Sequence, residues 1–130
     1  MRTFGRLALI AVLAIASPSV AAAAAADGQA AGKVAYEGKC GGCHSVEANR
    51  IGPLHRGVVG RRVASVPGYA YSPALKKLTG VWTPVRLDRW LQNPQAVAPG
   101  TRMYFSVANP AERAAIIAYL ESVSPPPARH

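Results

Sequence analysis

The segment Cys40-Gly41-Gly42-Cys43-His44 carries the most specific chemical pattern in this 130-residue chain. Two cysteines stand three positions apart, and a histidine directly follows the second. On a helical turn these three side chains share one face, because residues three and four positions apart are neighbours there. Two sulfurs and one imidazole nitrogen would therefore be presented together toward a single ligand.

This spacing predicts the covalent attachment of one c-type haem. The sulfurs of Cys40 and Cys43 would form thioethers with the two vinyl groups of the porphyrin. His44 would place a ring nitrogen on the iron and serve as a metal ligand. Gly41 and Gly42 would let the backbone pass close to the macrocycle.

Three other uses of the cysteine pair are weaker on the sequence. A structural zinc site needs about four ligands, and no second Cys or His pair stands at a matching spacing. A thioredoxin-like redox pair would lie near a βαβ pattern, which this chain does not show. A disulfide between the two cysteines stays open, but it would add little stability because the closed loop is so short.

The first 26 residues have the composition of a secretory signal peptide. Two arginines precede an apolar run over residues 7–16, and small residues follow it. The run is too short to span a bilayer, so we expect residues 1–26 to be cleaved, between Ala22 and Ala26, and the protein to reach the periplasm. An uncleaved anchor whose span the alanines lengthen is the alternative.

Residues 27–124 would then form one small domain, and residues 125–130 a disordered tail that begins with three prolines. All six acidic residues and 13 of the 15 Lys and Arg follow residue 26, which leaves a net charge of +7. Such a surface favours acidic protein partners. Nucleic acid is not an expected partner, because an exported protein rarely meets it.

The domain reads as helical with long loops and few strands. Asp27 is expected to cap a first helix that runs toward Lys39, and residues 46–71 are expected to be loop. Three later helices should each begin with a capping residue followed by proline: Ser72-Pro73, Thr83-Pro84 and Asn109-Pro110. The first of these should run through Leu78, the second should stop at Asn93-Pro94, and Glu112 should complete a capping box in the third.

Haem iron has a second axial position, which Met, His, Cys or Tyr can fill or which can stay without a protein ligand. Met103 is the only methionine after residue 26 and lies in the loop segment Pro99-Gly100-Thr101-Arg102-Met103. We expect Met103 to be this ligand, with ordinary core packing as its alternative role. His55 and His130 are the rival ligands.

Together these pieces resemble a class I cytochrome c, close to the mitochondrial type and its soluble bacterial relatives. The resemblance covers residues 32 to 120. Its pieces are Gly32-Lys33-x-x-Tyr36, the CGGCH motif, Ile51-Gly52-Pro53, Gly57-Val58-Val59-Gly60-Arg61, Pro67-Gly68-Tyr69-Ala70-Tyr71-Ser72, Val81-Trp82, Trp90-Leu91-x-Asn93-Pro94, Pro99-Gly100-Thr101-x-Met103-x-Phe105 and Ile117-Ala118-Tyr119-Leu120. The haem motif and the Pro-Gly-Thr-x-Met piece together are far more specific than either alone.

The resemblance implies an all-α fold, the small cytochrome c fold, with four to five helices around one covalently bound haem. It implies that the carbonyl of Pro53 accepts a hydrogen bond from the free N–H of His44. It also implies that Arg61, Tyr71 and Trp82 hydrogen-bond a haem propionate.

Two positions depart from the family pattern. His55 stands where an apolar haem contact is common. Trp90 stands where mitochondrial members often place a tyrosine that bonds the methionine sulfur. Elsewhere the resemblance implies that Gly32 and Tyr36 pack on the last helix, at Ile116 and Tyr119.

An iron with two protein ligands leaves no position for a substrate, which favours electron transfer over catalysis. We therefore expect a mobile, monomeric periplasmic carrier of single electrons between respiratory or periplasmic redox partners. These would be acidic proteins such as an oxidase, reductase or dehydrogenase, with only transient contact to membrane proteins, and Arg102 and Lys39 would border the docking surface. A dedicated haem subunit of one periplasmic oxidoreductase is the first alternative, and an enzyme or gas sensor with a labile Met103 is the second.

Overall fold

The computed structural model describes residues 19–126. Its helices are α1 (Val20–Lys39), α2 (Pro73–Lys76), α3 (Pro84–Gln92), α4 (Pro94–Val97) and α5 (Pro110–Ser122). Within this range there is no strand, only one isolated antiparallel bridge between Arg62 and Val81. The all-α class with four to five helices is therefore confirmed. Of the helices in this range, none has the length and apolar character needed to cross a membrane.

The capping residues followed by proline do begin helices. Ser72, Thr83 and Asn109 each accept a backbone hydrogen bond from the first turn of the helix that follows. Asn93 does the same for α4, with its side chain accepting from the backbone nitrogen of Ala96 at 3.1 Å. The sequence reading of Asn93-Pro94 as a simple stop was incomplete, because proline at a first helical position loses no hydrogen bond and can start a new helix.

The first helix begins earlier than predicted. α1 starts at Val20 instead of at Asp27, because alanine has the highest helix propensity and an alanine run extends a helix readily. Residues 20–26 are exposed throughout. The rest of the predicted signal peptide, residues 1–18, lies outside the described residues, as do residues 127–130 of the predicted tail, including His130.

Two smaller boundary predictions also differ from the structure. α2 ends at Lys76 instead of running through Leu78. Among the described residues, Glu112 does not close a capping box with Asn109; its carboxylate lies 3.6 Å from the ammonium of Lys39. An ion pair between α1 and α5 thus takes the place of the local hydrogen bond.

The close crossing of α1 and α5 organises the core. Gly32 lies directly against the backbone carbonyl of Ala115. A Cβ built at Gly32 would be 3.0 Å from the Cβ of Tyr119. One turn later the ring of Tyr36 packs on the ring of Tyr119, with centroids 5.2 Å apart. Ile116 of α5 is completely buried and belongs to the same core cluster as Tyr36. The predicted packing of Gly32 and Tyr36 on the last helix is therefore present, with Ala115 as an additional contact.

A buried arginine joins α3 to α5 and to the segment between α4 and α5. The Nε of Arg113 donates to the carboxylate of Asp88 at 2.7 Å. Its Nη1 donates to the carbonyls of Val107 and Ala108 at 2.9 and 2.8 Å. The hydrogen bond from Arg113 lowers the pKa of Asp88. These bonds fix the end of the loop that carries Met103.

We predict that Gly32→Ala lowers the free energy of unfolding by about 1–3 kcal/mol, the usual cost of overpacking a tight contact. A Cβ at position 32 would overlap the carbonyl oxygen of Ala115, and backbone cannot rotate away as a side chain could. Denaturant titration of the haem-loaded protein would measure this change.

Gly28→Ala is the matched control, since it lies in the same helix and its added Cβ would meet nothing within 4 Å. Because alanine has a higher helix propensity than glycine, Gly28→Ala should leave the free energy of unfolding unchanged or raise it by up to about 1 kcal/mol. Equal stability of Gly32→Ala and the unmodified protein would show that the helices do not need this close approach.

Candidate haem site

One cavity collects all the predicted site residues. It has a volume of about 390 Å³ and its wall is mostly apolar. The wall includes Cys40, Cys43, His44, Pro53, Arg61, Tyr71, Trp82 and Met103. A more open groove of about 540 Å³ between α2 and the end of α4 contains none of them. The chemistry predicted from the sequence therefore converges on a single place.

The CGGCH motif continues α1 by one further turn. The backbone nitrogen of Cys40 donates to the carbonyl of Tyr36 at 2.7 Å, and those of Cys43 and His44 both donate to the carbonyl of Cys40. The two cysteines are free, so the disulfide alternative is not formed. Burial, followed by the charge of Cys43, raises the pKa of Cys40 to about 11. This disfavours thiolate chemistry such as that of a thioredoxin-like pair.

The imidazole of His44 has a fixed orientation and a free nitrogen. Its Nδ1 donates to the carbonyl oxygen of Pro53 at 2.9 Å, so the lone pair is on Nε2. Gly52 lies against the Cε1 edge of the ring, where an added Cβ would fall 2.6 Å from Nε2 and closer still to Cε1 and Nδ1. Burial lowers the pKa of His44 and so favours the neutral imidazole, which is the form that binds a metal.

A second histidine lies flat on the first. The rings of His44 and His55 are stacked, with centroids 4.0 Å apart and an angle of 16° between their planes. The Nδ1 of His55 is 3.1 Å from the hydroxyl of Tyr36. Burial, then the neighbouring His44 and Arg61, lower the pKa of His55 well below its ordinary value. His55 is thus a neutral neighbour of the predicted ligand.

The sulfur of Met103 accepts a hydrogen bond from the indole Nε1 of Trp90 at 3.2 Å. Trp90 is buried on α3 and packs edge-on against Trp82 with centroids 5.3 Å apart. The indole therefore reaches the thioether, as the tyrosine common at this position in mitochondrial relatives would be expected to do.

The loop that presents Met103 is held by Gln95, a residue that the sequence reading missed. The side-chain nitrogen of Gln95 donates to the carbonyls of Thr101 and Met103 at 2.8 and 3.0 Å. Its side-chain oxygen accepts from the backbone nitrogen of Gly100 at 3.1 Å. No sequence signal identifies this role, because it depends on the short helix α4 placing Gln95 inside the loop.

The three predicted propionate residues lie together on another part of the wall. Arg61 donates to the carbonyls of Leu54 and Arg56 at 2.7 and 3.1 Å, which fixes its guanidinium. The backbone of Trp82 donates to the carbonyl of Arg61 at 2.8 Å. The hydroxyl of Tyr71 accepts from a backbone nitrogen and keeps its own proton to donate. The trio offers one cation and two aromatic donors, which suits a carboxylate.

The donor set fits a covalent haem c. Two thiols, a neutral imidazole with a free Nε2 and a thioether share one apolar cavity. Cytochromes c combine the same groups, with His and Met as axial ligands. The residues present therefore fit this cofactor: Cys40 and Cys43 would attach it, and His44 and Met103 would supply the axial donors.

Comparison with known proteins gives the same answer. The family profile of cytochrome c matches residues 29–124. The cytochrome c-type cyt cy of Rhodobacter capsulatus is 43% identical over 95 residues, which are 72% of this chain but 48% of that protein, so the match spans about half of its length. Cytochrome c2 of Rhodomicrobium vannielii is 42% identical over 86 residues, 63% of this chain and 69% of that protein.

A solved structure is also similar. The structure of cytochrome cH from Methylobacterium extorquens superposes with a TM-score of 0.68 at 40% sequence identity, covering 72% of this chain and 97% of that one. Because the profile match extends over well more than half of the sequence, this chain belongs to the cytochrome c family, whose members bind haem c covalently and carry electrons instead of catalysing a reaction.

Proposed function

We propose that this protein is a periplasmic electron carrier whose single haem c is attached to Cys40 and Cys43 and ligated by His44 and Met103. The observation that supports this most is the convergence of these four side chains on one apolar cavity. The bound haem supplies a one-electron Fe(III)/Fe(II) couple, and Met ligation raises its reduction potential. With His44 and Met103 as its ligands, the iron would have no open position for a substrate.

The residues around the cavity would orient the two iron ligands, keep water from the haem and balance the charge of a propionate. Pro53 holds the imidazole of His44 in the tautomer that leaves Nε2 free. The indole of Trp90 withdraws electron density from the sulfur of Met103 through its hydrogen bond. Arg61 would offset the negative charge of a propionate inside the protein. Ligands held in this way need little rearrangement when one electron arrives or leaves.

The surface at the mouth of the cavity suits a transient acidic partner. Lys39 and Arg102 lie on the wall at its edge, and the whole chain carries a formal charge of +9. The cavity wall also includes three exposed apolar side chains: Ile51 at 76%, Tyr104 at 78% and Phe105 at 48% exposure. A basic rim steers an acidic protein and apolar contacts hold it briefly, which suits a monomer that exchanges partners.

Export completes the proposal. Residues 1–26 would be a cleaved signal peptide, residues 27–124 the haem domain and residues 125–130 a tail. The support is the order of basic, apolar and small residues at the start of the chain.

The first test is the mass and the ferric spectrum of protein exported by cells that mature c-type cytochromes. We expect a mass one haem above the processed polypeptide and the near-infrared charge-transfer band of sulfur-ligated ferric haem. Met103→Ala should keep the added mass and lose the band, whereas Cys40→Ala/Cys43→Ala should lose the added mass. A bare-polypeptide mass would refute haem attachment, and a band that survives Met103→Ala would refute the ligand assignment.

A second prediction concerns Trp90→Phe, which replaces the indole by a smaller aromatic ring and removes the donor to Met103. The sulfur then regains electron density and stabilises ferric iron, so the reduction potential should fall, by an amount equivalent to about 1 kcal/mol or less for one neutral hydrogen bond. A redox titration followed by absorption measures it. Trp90→Tyr retains a donor and should restore much of the difference; a potential that is unchanged or higher in Trp90→Phe would contradict the prediction.

A third prediction concerns the basic rim. At low ionic strength, Arg102→Glu should slow oxidation of the ferrous protein by anionic hexacyanoferrate(III) roughly several-fold. The difference in rate between the variant and the unmodified protein should shrink as salt screens the charge. Stopped-flow kinetics over a range of salt concentrations gives both quantities. Arg62→Glu is the control with the same change in charge, since Arg62 is exposed but does not line the cavity. Identical salt dependence of the two variants would remove Arg102 from the docking surface.

A further inference from the structure

The backbone around His44 is built to hold another residue against its ring. The nitrogen of Gly52 donates to the carbonyl of Cys43 at 2.8 Å, and the nitrogen of His55 donates to the carbonyl of Ser45 at 2.8 Å. These two bonds bracket His44 in the sequence. They bring the segment 52–55 alongside the histidine and set the position of the His55 ring.

The contacts of His44 then come from three residues, which we call the His44 support: Gly52, Pro53 and His55. Gly52 touches the Cε1 edge, Pro53 accepts from Nδ1, and His55 covers a face of the ring at 4.0 Å. A hydrogen bond at Nδ1 alone still allows the ring to tilt about that bond. A flat ring stacked on its face opposes this tilt.

His55 is itself fixed from the other side by the core. Its Nδ1 lies 3.1 Å from the hydroxyl of Tyr36, and the two rings meet edge-on with centroids 5.7 Å apart. Tyr36 is 3% exposed and packs on Tyr119 of α5. The stacked ring is thus connected to the crossing of α1 and α5. An apolar side chain at position 55 would fill space but could not accept or donate this bond.

We propose that His55 is a positioning residue that, held by Tyr36, sets the plane of the His44 imidazole by stacking on it. The inference rests on the proposed function, because it takes His44 to be the axial ligand. It also gives His55 a role other than that of a rival ligand, since its ring is stacked on that of His44. The presence of a histidine at position 44 does not by itself define the orientation of the imidazole plane.

The test is proton NMR of the ferric haem-loaded protein, in which the shifts of the haem methyl groups depend on the orientation of the axial imidazole plane. We expect His55→Leu to change the spread of these shifts, because the stack is lost. His55→Phe keeps an aromatic ring and should change it less. Tyr36→Phe, which removes one oxygen from the core, should change it in the same direction as His55→Leu and by a smaller amount.

The double variant Tyr36→Phe/His55→Leu decides whether Tyr36 acts through His55. It should match His55→Leu alone, because without the histidine the tyrosine has no route to His44. Additive changes would overturn the inference, as would methyl shifts in His55→Leu equal to those of the unmodified protein. Failure of the proposed function is recognised separately, since the unmodified protein would then lack the low-spin spectrum of a His/Met-ligated haem.

Discussion

The approach of α1 to α5 at Gly32 is the constraint on which the site depends. α1 runs directly into the CGGCH turn, so the angle at which it crosses α5 determines where the two sulfurs and the imidazole lie. Only a residue without a Cβ allows the carbonyl of Ala115 to come so close. The ion pair of Lys39 with Glu112 adds little energy at a partly exposed position. Packing around Gly32 and Tyr36 therefore holds the end of the helix in place.

Loops, by contrast, are held mainly by polar side chains bonded to backbone carbonyls. Three side chains each donate to two backbone carbonyls that lie outside the helices: Arg61, Gln95 and Arg113. A chain with long loops and no strand within residues 19–126 has many backbone groups that secondary structure leaves unpaired, and burying them unpaired is costly. The bonds of Arg61 and Gln95 also hold segments that line the cavity. The hydrogen bonds that stabilise the loops therefore also set the geometry of the site.

The sequence predicted the starts of α2, α3 and α5 and the residues that meet in the cavity, because both depend on local chemistry. A capping residue followed by proline acts within one turn, and CGGCH specifies its reactive atoms by spacing alone. The roles of Gln95 and Gly52 were missed, because each depends on segments that the fold brings together. The start of α1 was predicted wrongly at Asp27, since a capping signal was given more weight than the alanines before it. Pro94 was read as a stop although it also begins α4.

His55 shows why the identity of a ligand and its orientation are encoded differently. Any neutral imidazole at position 44 can bind iron, so a short motif suffices to specify it. Its orientation depends on a bond to Pro53, on contact with Gly52 and on a stacked ring that Tyr36 secures, and these arise from segments that only the tertiary fold aligns. His55 stands where relatives of this type commonly place an apolar contact. Its role in orienting His44 explains this histidine without making it a second metal ligand. Under the proposed function, the chain has a histidine ligand in the CGGCH motif and an aromatic support behind it.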